Sequence, residues 1–577
     1  MHIATRPFDL SGCDFSAQLD PLLQRLYQSR GICYQHQLGR RLNDLPQPNL
    51  MAGIGAASQR LVSAIQHQQS VLIVGDFDAD GATSSALMVL ALKAMGLQQV
   101  DFLVPNRFDY GYGLTPEIVD LAAVKSPHLI ITVDNGVSSV DGVARANQLG
   151  IEVIVTDHHL PGTVLPDAVA IVNPNQHGCE FPSKNLAGIG VAFYLLCAVR
   201  ALLREQQWFA EQAMAEPDMS QWLDLVALGT VADVVPLDQV NRILVHQGLI
   251  RIRAGQSRPG IQALLRIAGK NSRSLVASDL GFALGPRLNA AGRLDDISLG
   301  IQCLLSDDPQ QALRTAQALD ELNQDRKHIE AGMQREALGI VEQLSIDGED
   351  LPVALCLFQS DWHQGVVGLL ASRIKEKYHR PVAAFAFGDN GQLKGSLRSI
   401  PGLHIRDVLD AVATQNPGLI SKFGGHAMAA GLTLEQSQLA EFEQAFQRQV
   451  AQCLSADDLQ LKLITDGSLS AQQLAMPTAQ LLRDAGPWGQ QFPEPSFSGN
   501  FLIVQQRIVG ENHLKLSLAP QDQPDQVIDA IWFNVDTAEW PNPALTDVNC
   551  VFKLDINEFR GMEKVQLLIK HMQPLSK

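Results

Sequence analysis

Apolar residues in the first part of the chain fall into short runs that end abruptly in charged groups. Val71-Leu72-Ile73-Val74-Gly75 leads into Asp76, Asp78 and Asp80; Leu129-Ile130-Ile131-Thr132-Val133 into Asp134; Val153-Ile154-Val155-Thr156 into Asp157, His158 and His159. Apolar runs of roughly four to eight residues, polar only at their ends, predict strands buried on both faces. Strands are expected near 71–75, 99–104, 129–134, 151–156 and 168–172, and helices near 82–96, 115–124, 138–149, 187–205 and 221–231. This alternation predicts an α/β domain with a doubly wound parallel sheet. Ligands bind at the carboxyl edge of such sheets, and the Asp and His residues fall there.

The pattern changes outside this region. Residues 1–70 read as helical, with Leu22, Leu23, Leu26 and Tyr27 spaced for one face and a second helix near 57–66. Between 308 and 345, Leu319, Leu322, Ile329, Met333, Ile340 and Leu344 recur at helical spacing among charges. That predicts one amphipathic helix, too long for the core of a small domain and therefore a connector. A second α/β domain follows, with strand Val353–Phe358, helix Val366–Tyr378 and strands Val382–Phe387 and Leu393–Leu397. Beyond a polar passage at 456–470 and a Pro-rich segment holding Trp488 and Phe492, short alternating strands predict a C-terminal β-barrel of the OB type, with a β-sandwich as the alternative. Trp488 and Phe492 are expected to pack at a domain junction rather than to stack on bases. The expected boundaries are 1–70, 71–305, 306–346, 347–455 and 456–577.

Composition narrows the class. With 577 residues, 46% hydrophobic and 18% charged, the chain is an ordinary globular protein of several domains. It holds no uncharged apolar stretch of about 18 residues, so no membrane span is expected, and Met1–Pro7 lacks a signal-peptide pattern. Eight scattered cysteines without a Cys-x-x-Cys pair exclude a zinc ribbon and suit a reducing cytosol. The net charge of −17 argues at first against nucleic acid. Its distribution weakens the objection: residues 251–293 carry eight Lys/Arg and one acid, and 363–426 carry eight against four.

Asp78 and Asp80 are expected on one face of an extended turn. Together with Asp134, His158 and Asp233 of Gly229-Thr230-Val231-Ala232-Asp233 they could hold two cations about 3.5–4 Å apart, a spacing suited to in-line displacement at phosphorus. Oxygen ligands mixed with imidazole suit Mn²⁺ or Mg²⁺. A single Asp here is better read as a turn or cap residue than as a ligand. Four converging clusters are not, because buried like charges cost too much without a cation.

The segments Gly75-Asp76-Phe77-Asp78-Ala79-Asp80-Gly81, Val133-Asp134-Asn135-Gly136, Thr156-Asp157-His158-His159 and Gly229–Leu237 resemble, in order, the four motifs of the DHH phosphoesterase family. Gly285-Pro286-Arg287-Leu288-Asn289-Ala290-Ala291-Gly292-Arg293, Trp362–Gly368, Lys394–Ser399 and Phe423–Gly431 are similar to segments of its single-strand exonuclease branch. The resemblance covers nearly the whole chain. It implies a DHH metal-binding catalytic domain, a DHH-associated substrate-binding domain and an OB-fold single-strand-binding domain. It implies two Mn²⁺ or Mg²⁺ ions on Asp76, Asp78, Asp80, Asp134, His158 and Asp233, with Asp134 bridging, Asp157 orienting His158, and His159 on the scissile phosphate. The chain departs from the family where a His is usual four residues before Asp78; Val74 stands there, and Asp76 is expected to compensate. Arg287, Asn289, Arg293, Arg373, Ser396, Arg398, Gly424, Gly425 and His426 are expected to hold the strand. Residues 251–293 are expected to line the approach to the metals. The implied activity is 5′-to-3′ hydrolysis of single-stranded DNA to 5′-mononucleotides in repair and recombination, by a cytoplasmic monomer that works with single-strand-binding protein and a RecQ-type helicase. The alternatives are a DHH phosphoesterase acting on short RNA or cyclic dinucleotides, a pyrophosphatase, and a non-catalytic replication scaffold.

Overall fold

A computed structural model describes residues 2–105, 110, 113–346, 351–388, 391–559 and 561–575. Its contacts divide into two compact units, Thr5–Asp320 with Ile464–Lys577, and Met1–Ala4 with Glu321–Leu463. The expected boundary at 346/347 abuts residues 347–350, which lie outside the described residues.

The larger unit opens with helices α1 (Pro21–Gln28) and α2 (Ile54–Gln66). Strand β1 (Val71–Gly75), helix α3 (Ala79–Ala94), β2 (Val100–Leu103), α4 (Pro116–Ala123), β3 (Leu129–Val133), α5 (Val140–Gln148), β4 (Glu152–Thr156) and β5 (Ala170–Val172) follow. The sheet order is β2-β1-β3-β4-β5, parallel throughout. Every residue of β1 and β3 is buried, as continuous apolar runs require of a sheet covered on both faces. Leu72, Val74, Ile130, Val153 and Val155 pack against Ile118, Val119 and Ala122 of α4 and Val143 and Ala146 of α5. Helices α6 (Gly188–Glu205), α7 (Leu223–Ala232), α8 (Gln239–Arg253), α9 (Pro259–Ile267) and α10 (Gly285–Leu294) complete the domain. Helix α11 (Pro309–Ile346) is continuous over 38 residues, as the periodicity predicts.

The smaller unit holds β6 (Leu355–Phe358), α12 (Val367–Tyr378), β7 (Val382–Phe387), β8 (Gln392–Arg398), α13 (Ile405–Gln415), β9 (Lys422–Gly425), β10 (Ala429–Glu435) and α14 (Leu439–Cys453). The sheet order is β9-β10-β8-β7-β6, with only β6 and β7 parallel. The Gly-Gly-His segment is therefore strand and hairpin rather than a free turn; its glycines hide the strand from any reading by β-propensity. Back in the larger unit, β11 (Phe497–Val509), β12 (His513–Pro520), β13 (Ile528–Trp532), β14 (Asp547–Phe559) and β15 (Met562–Pro574) close a barrel in the order β11-β12-β13-β15-β14. Closure excludes the sandwich alternative. Inside it pack Phe497, Phe501, Phe552, Leu514, Leu516 and Leu567, all nearly inaccessible.

The N-terminal segment fastens the parallel-sheet domain to the passage before the barrel. Tyr27, Trp488 and Phe492 form one aromatic stack, with ring centroids 5.1–6.2 Å apart. The Arg242 guanidinium lies 4.5 Å from the Phe492 ring centroid, and Gln490 C=O accepts from Leu237 N. Arg30 meets Asp466 through two bonds of 3.0 and 2.9 Å, with both side chains almost wholly buried. Trp488 and Phe492 thus pack at the junction. Removing one partner of a buried ion pair costs about 3–5 kcal/mol, whereas replacing both by apolar groups costs far less. Asp466→Asn should therefore lower stability in urea unfolding by more than the double variant Arg30→Met/Asp466→Leu. Equal losses would mean that the pair holds nothing.

Candidate metal centre

The chain leaves β1 at Gly75 and turns at once. Asp78 is the N-cap of α3: its Oδ1 accepts from Asp80 N at 2.9 Å and Gly81 N at 3.1 Å. That cap starts the helix at Ala79 rather than 82, so Asp78 and Asp80 stand at the cap and first turn of a helix. The expectation that strand alternation aligns them is corrected by this geometry. Gly81 is required here, since a Cβ would lie 2.3 Å from Asp76 O. Asp80 is wholly buried and turns towards α6, where its carboxylate accepts from Gly188 N at 2.6 Å and Ile189 N at 3.0 Å. A helix N-terminus is a natural partner for a carboxylate. Gly188 and Ile189 act through backbone N–H groups and so carry no side-chain signal; the Gly188-Ile189-Gly190 run opening an apolar helix is the one mark they leave in the sequence.

Asp134 follows β3 with φ +62 and is 2% exposed. Non-glycine residues rarely adopt that conformation, although Asp and Asn tolerate it best. A Cβ on Gly188 would lie 2.6 Å from the Asp134 Cβ, so that glycine leaves room for the carboxylate. After β4, Asp157 Oδ1 accepts from His158 N, His159 N and His159 Nδ1, the last at 2.7 Å, while Oδ2 accepts from Val137 N. Asp157 therefore orients the ring of His159, not that of His158 as expected, because its oxygen lies under the second imidazole of the turn. His158 Nε2 lies 3.1 Å from Asp134 Oδ1 and 3.5 Å from Asp233 Oδ2. Asp233 caps the C-terminus of α7, where the helix dipole disfavours a negative charge.

Ligand atoms within 4.8 Å of one another gather as Asp76–Asp78–Asp134, as Asp80–His158–Asp233 and as Asp134–His158–His159. The first two are adjacent triads joined by the Asp134–His158 contact. Asp76 belongs to the first, while Val74 is buried in the apolar layer beneath the sheet. The position usually held by His is thus core, and Asp76 supplies a group at the sheet edge instead.

Burial and crowding set the electrostatics. Burial, then the charge of Asp233, lifts the Asp80 pKa to about 7. Burial and Asp78 do the same for Asp233, and burial with four neighbouring aspartates pushes Asp134 well above the ordinary carboxylate range. Burial, then His159, lowers His158 and favours the neutral ring that a metal ligand needs. For His159, burial opposes the charged ring, but the hydrogen bond and charge of Asp157 outweigh it and raise the pKa to about 9. His158 Nε2 and Asp233 Oδ2 are buried and make no hydrogen bond. Carboxylate oxygens with one imidazole are the donor set of Mn²⁺ or Mg²⁺ rather than of a thiolate-binding metal.

The residues expected to hold the strand separate into two kinds. Asn289 Oδ1 accepts from Ala79 N at 2.7 Å, and a Cβ on Gly292 would lie 1.8 Å from Phe77 O. Helix α10 is therefore pressed on the Asp76–Asp80 loop, and Asn289 positions it. Arg287 donates to Ala283 O and pairs with Asp320 at 2.8 Å, which makes it a fastening for α11 as the structure stands. The surrounding basic stretch is likewise spent on the fold: Arg253 donates to Leu275 O, Arg258 to Leu304 O, Leu305 O and Asp307, and Lys270 pairs with Asp279. Four of the eight cations of 251–293 thus hold the fold as the structure stands. Arg293 is half-buried at the end of α10.

In the other unit Arg373 pairs with Glu330 at 2.9 Å. Arg398 is held by Ser372 Oγ, Ser396 Oγ and Leu397 O, with no carboxylate pairing it among the described residues. Across β9, β10 and β8, Gly424 lies beside Gly431 and Gly431 beside Ser396, and Lys422 beside Thr433 and Thr433 beside Lys394. Residues two apart share a face, so Lys422, Lys394, Ser396 and Arg398 flank a strip left bare by glycine. Gly425 has φ +145, and a Cβ there would lie 2.5 Å from Ala429 O. His426 follows, exposed, at the hairpin.

The DHH family N-terminal domain matches residues 70–230, the DHHA1 domain 350–452 and the RecJ OB domain 465–571. The chain is 56% identical over 557 residues, 96% of each chain, to the single-stranded-DNA-specific exonuclease RecJ of Dickeya dadantii. The crystal structure of RecJ from Thermus thermophilus in complex with Mn²⁺ matches with a TM-score of 0.79 at 27% identity, covering 97% of this chain and 77% of that one. The corresponding Mg²⁺ complex matches with a TM-score of 0.73 at 26% identity, covering 97% and 76%. No helix among the described residues is long and apolar enough to cross a membrane.

Two outcomes test the centre. Mn²⁺ should raise the melting temperature of the EDTA-treated protein by relieving carboxylate repulsion. Asp134→Asn, which keeps a residue suited to positive φ, should melt no lower than the wild type in EDTA yet show a smaller Mn²⁺-induced rise. An undiminished rise would remove Asp134 from the ligand set. Asn289→Ala should fold and bind Mn²⁺ roughly 10–100-fold more weakly, the usual cost of losing an orienting hydrogen bond behind a ligand. Calorimetric titration reads this directly, and unchanged affinity would contradict the positioning role.

Proposed function

The chain belongs to the RecJ family of single-stranded-DNA-specific exonucleases, and from that premise we propose that it hydrolyses single-stranded DNA to 5′-mononucleotides in the 5′-to-3′ direction. The observation that carries the chemistry is the pair of triads joined at Asp134 and His158. Two divalent ions held there would activate water and stabilise charge on the attacking and leaving oxygens. Asp76 and Asp78 would hold one ion and Asp80, His158 and Asp233 the other, with Asp134 a member of the first group and in contact with His158 of the second.

The protein's own groups do the rest. The backbone donors of α6 fix Asp80, and Asn289 fixes the loop between Asp78 and Asp80, so the ligands need little reorganisation during reaction. His159, kept charged by Asp157, donates to a non-bridging oxygen of the scissile phosphate. Ser396, Arg398, Gly424, Gly425 and His426 contact phosphates, supported by an Arg without a carboxylate and by bare backbone at the two glycines. Arg293 also contacts phosphate, whereas Arg287 and Arg373 meet phosphate only by exchanging or sharing the carboxylates that now hold them.

The boundaries 71–305, 347–455 and 456–577 are proposed for the catalytic, substrate-binding and single-strand-binding domains. An enzyme that needs an unpaired strand depends on a process that opens duplex DNA and on whatever coats the strand. This supports a RecQ-type helicase and single-strand-binding protein as partners of a cytoplasmic monomer in repair and recombination.

A 40-nucleotide strand labelled at either end tests polarity and reaction together. With Mn²⁺ or Mg²⁺, the 5′ label should appear at once as a mononucleotide, while the 3′ label shifts down gradually. EDTA should stop both. Early release of the 3′ label would reverse the polarity, and a mid-strand cut would make the enzyme an endonuclease.

A further inference from the structure

Phe282 is 86% exposed. It lies in a π-helical turn, Leu280–Leu284, immediately before α10. Such turns are rare and are frequent at functional sites. The turn itself is firmly seated. Leu280, Ala283 and Leu284 are buried, and a Cβ on Gly281 would lie 3.1 Å from Val231 Cγ1, one on Gly285 3.2 Å from Ala232 Cβ. Val231 and Ala232 are the last residues of α7, and the next residue is Asp233 of the second triad. A rigid turn thus stands on the helix end that delivers a metal ligand, and it holds a phenyl ring out into water.

Val234, directly after Asp233, repeats the pattern. It is 61% exposed and has φ +64, a conformation that is a genuine outlier for a β-branched residue and one that helix ends normally give to glycine. Two irregular backbone segments, both costly, therefore keep apolar side chains exposed beside the cations' ligands. Neither side chain contributes to folding from there. Strain of this kind persists where the surroundings impose it and gathers at functional sites.

We propose that Phe282 is the platform on which a base of the single strand stacks beside the metal centre, which makes Phe282 a positioning residue; this rests on the exonuclease reading above. The centre supplies cations for the phosphates, but nothing in its carboxylate and imidazole set recognises a base. A flat apolar ring does so without regard to sequence, because every base has a π face. Stacking would hold the nucleotide still while its phosphate meets His159 and the ions, which sets the reaction register by one base.

The test compares wild type, Phe282→Ala and Phe282→Trp on a 5′-phosphorylated strand and on the same strand with its first three nucleotides abasic, in Mn²⁺. On the normal strand Phe282→Ala should raise KM on the order of ten-fold, with its melting temperature and Mn²⁺-induced rise unchanged, and Phe282→Trp should restore KM. The abasic strand should be a poor substrate for wild type and no worse for Phe282→Ala. A wild-type KM in Phe282→Ala, an abasic penalty that persists in it, or a fall in its melting temperature would overturn the stacking role alone. If wild type leaves both strands intact, the exonuclease reading fails first, and the stacking proposal with it.

Discussion

Asp76, Asp78, Asp80, Asp134 and Asp233 converge on one poorly solvated place at the head of a parallel sheet, and like charges there are among the most expensive arrangements a fold can contain. Much of the surrounding structure acts to keep them together. The N-terminus of α6 takes both oxygens of Asp80, and Asp78 spends one oxygen capping α3. Asp134 is held at positive φ, Asp233 at the wrong end of a helix dipole. Glycines at 81, 188 and 292 permit approaches that any side chain would block. The crowded charges, the positive φ of Asp134 and the placement of Asp233 at a helix C-terminus cost stability, and divalent cations would offset them together.

The sheet and its chemical edge were legible in the sequence because buried parallel strands are continuous apolar runs and the site residues follow them directly. Strand Val382–Phe387 and helix α11 were readable for the same reason, since period and length carry the signal. Strands β9 and β10 were not, because Gly424, Gly425 and Gly431 erase the alternation that marks a strand. The role of Asn289 was beyond reach, and the pairing of Arg287 with a carboxylate was open only as an alternative to a phosphate contact. Both are polar residues on one motif, and only the fold reveals that one turns to Ala79 N and the other to Asp320. The choice of His159 over His158 by Asp157 is a matter of turn geometry that sequence order does not contain.

The same lesson applies to charge. Eight cations between 251 and 293 suggested a polyanion-binding face, yet Arg253, Arg258, Lys270 and Arg287 close helix ends and carboxylate pairs. Guanidinium groups suit such work because one planar fork can satisfy several carbonyls at once. The bare strip across β9, β10 and β8 has fewer cations but leaves them better placed for phosphate, with glycine removing the side chains between them. The distribution of partners, not the count of charges, separates a binding face from a scaffold.

Anomalous diffraction from crystals soaked in Mn²⁺ tests the central claim most directly. Two peaks about 3.5–4 Å apart are expected, one within coordination distance of Asp76 and Asp78, the other of Asp80, His158 and Asp233, with Asp134 reaching both. A single peak, or two peaks that leave Asp134 uncoordinated, would contradict the account.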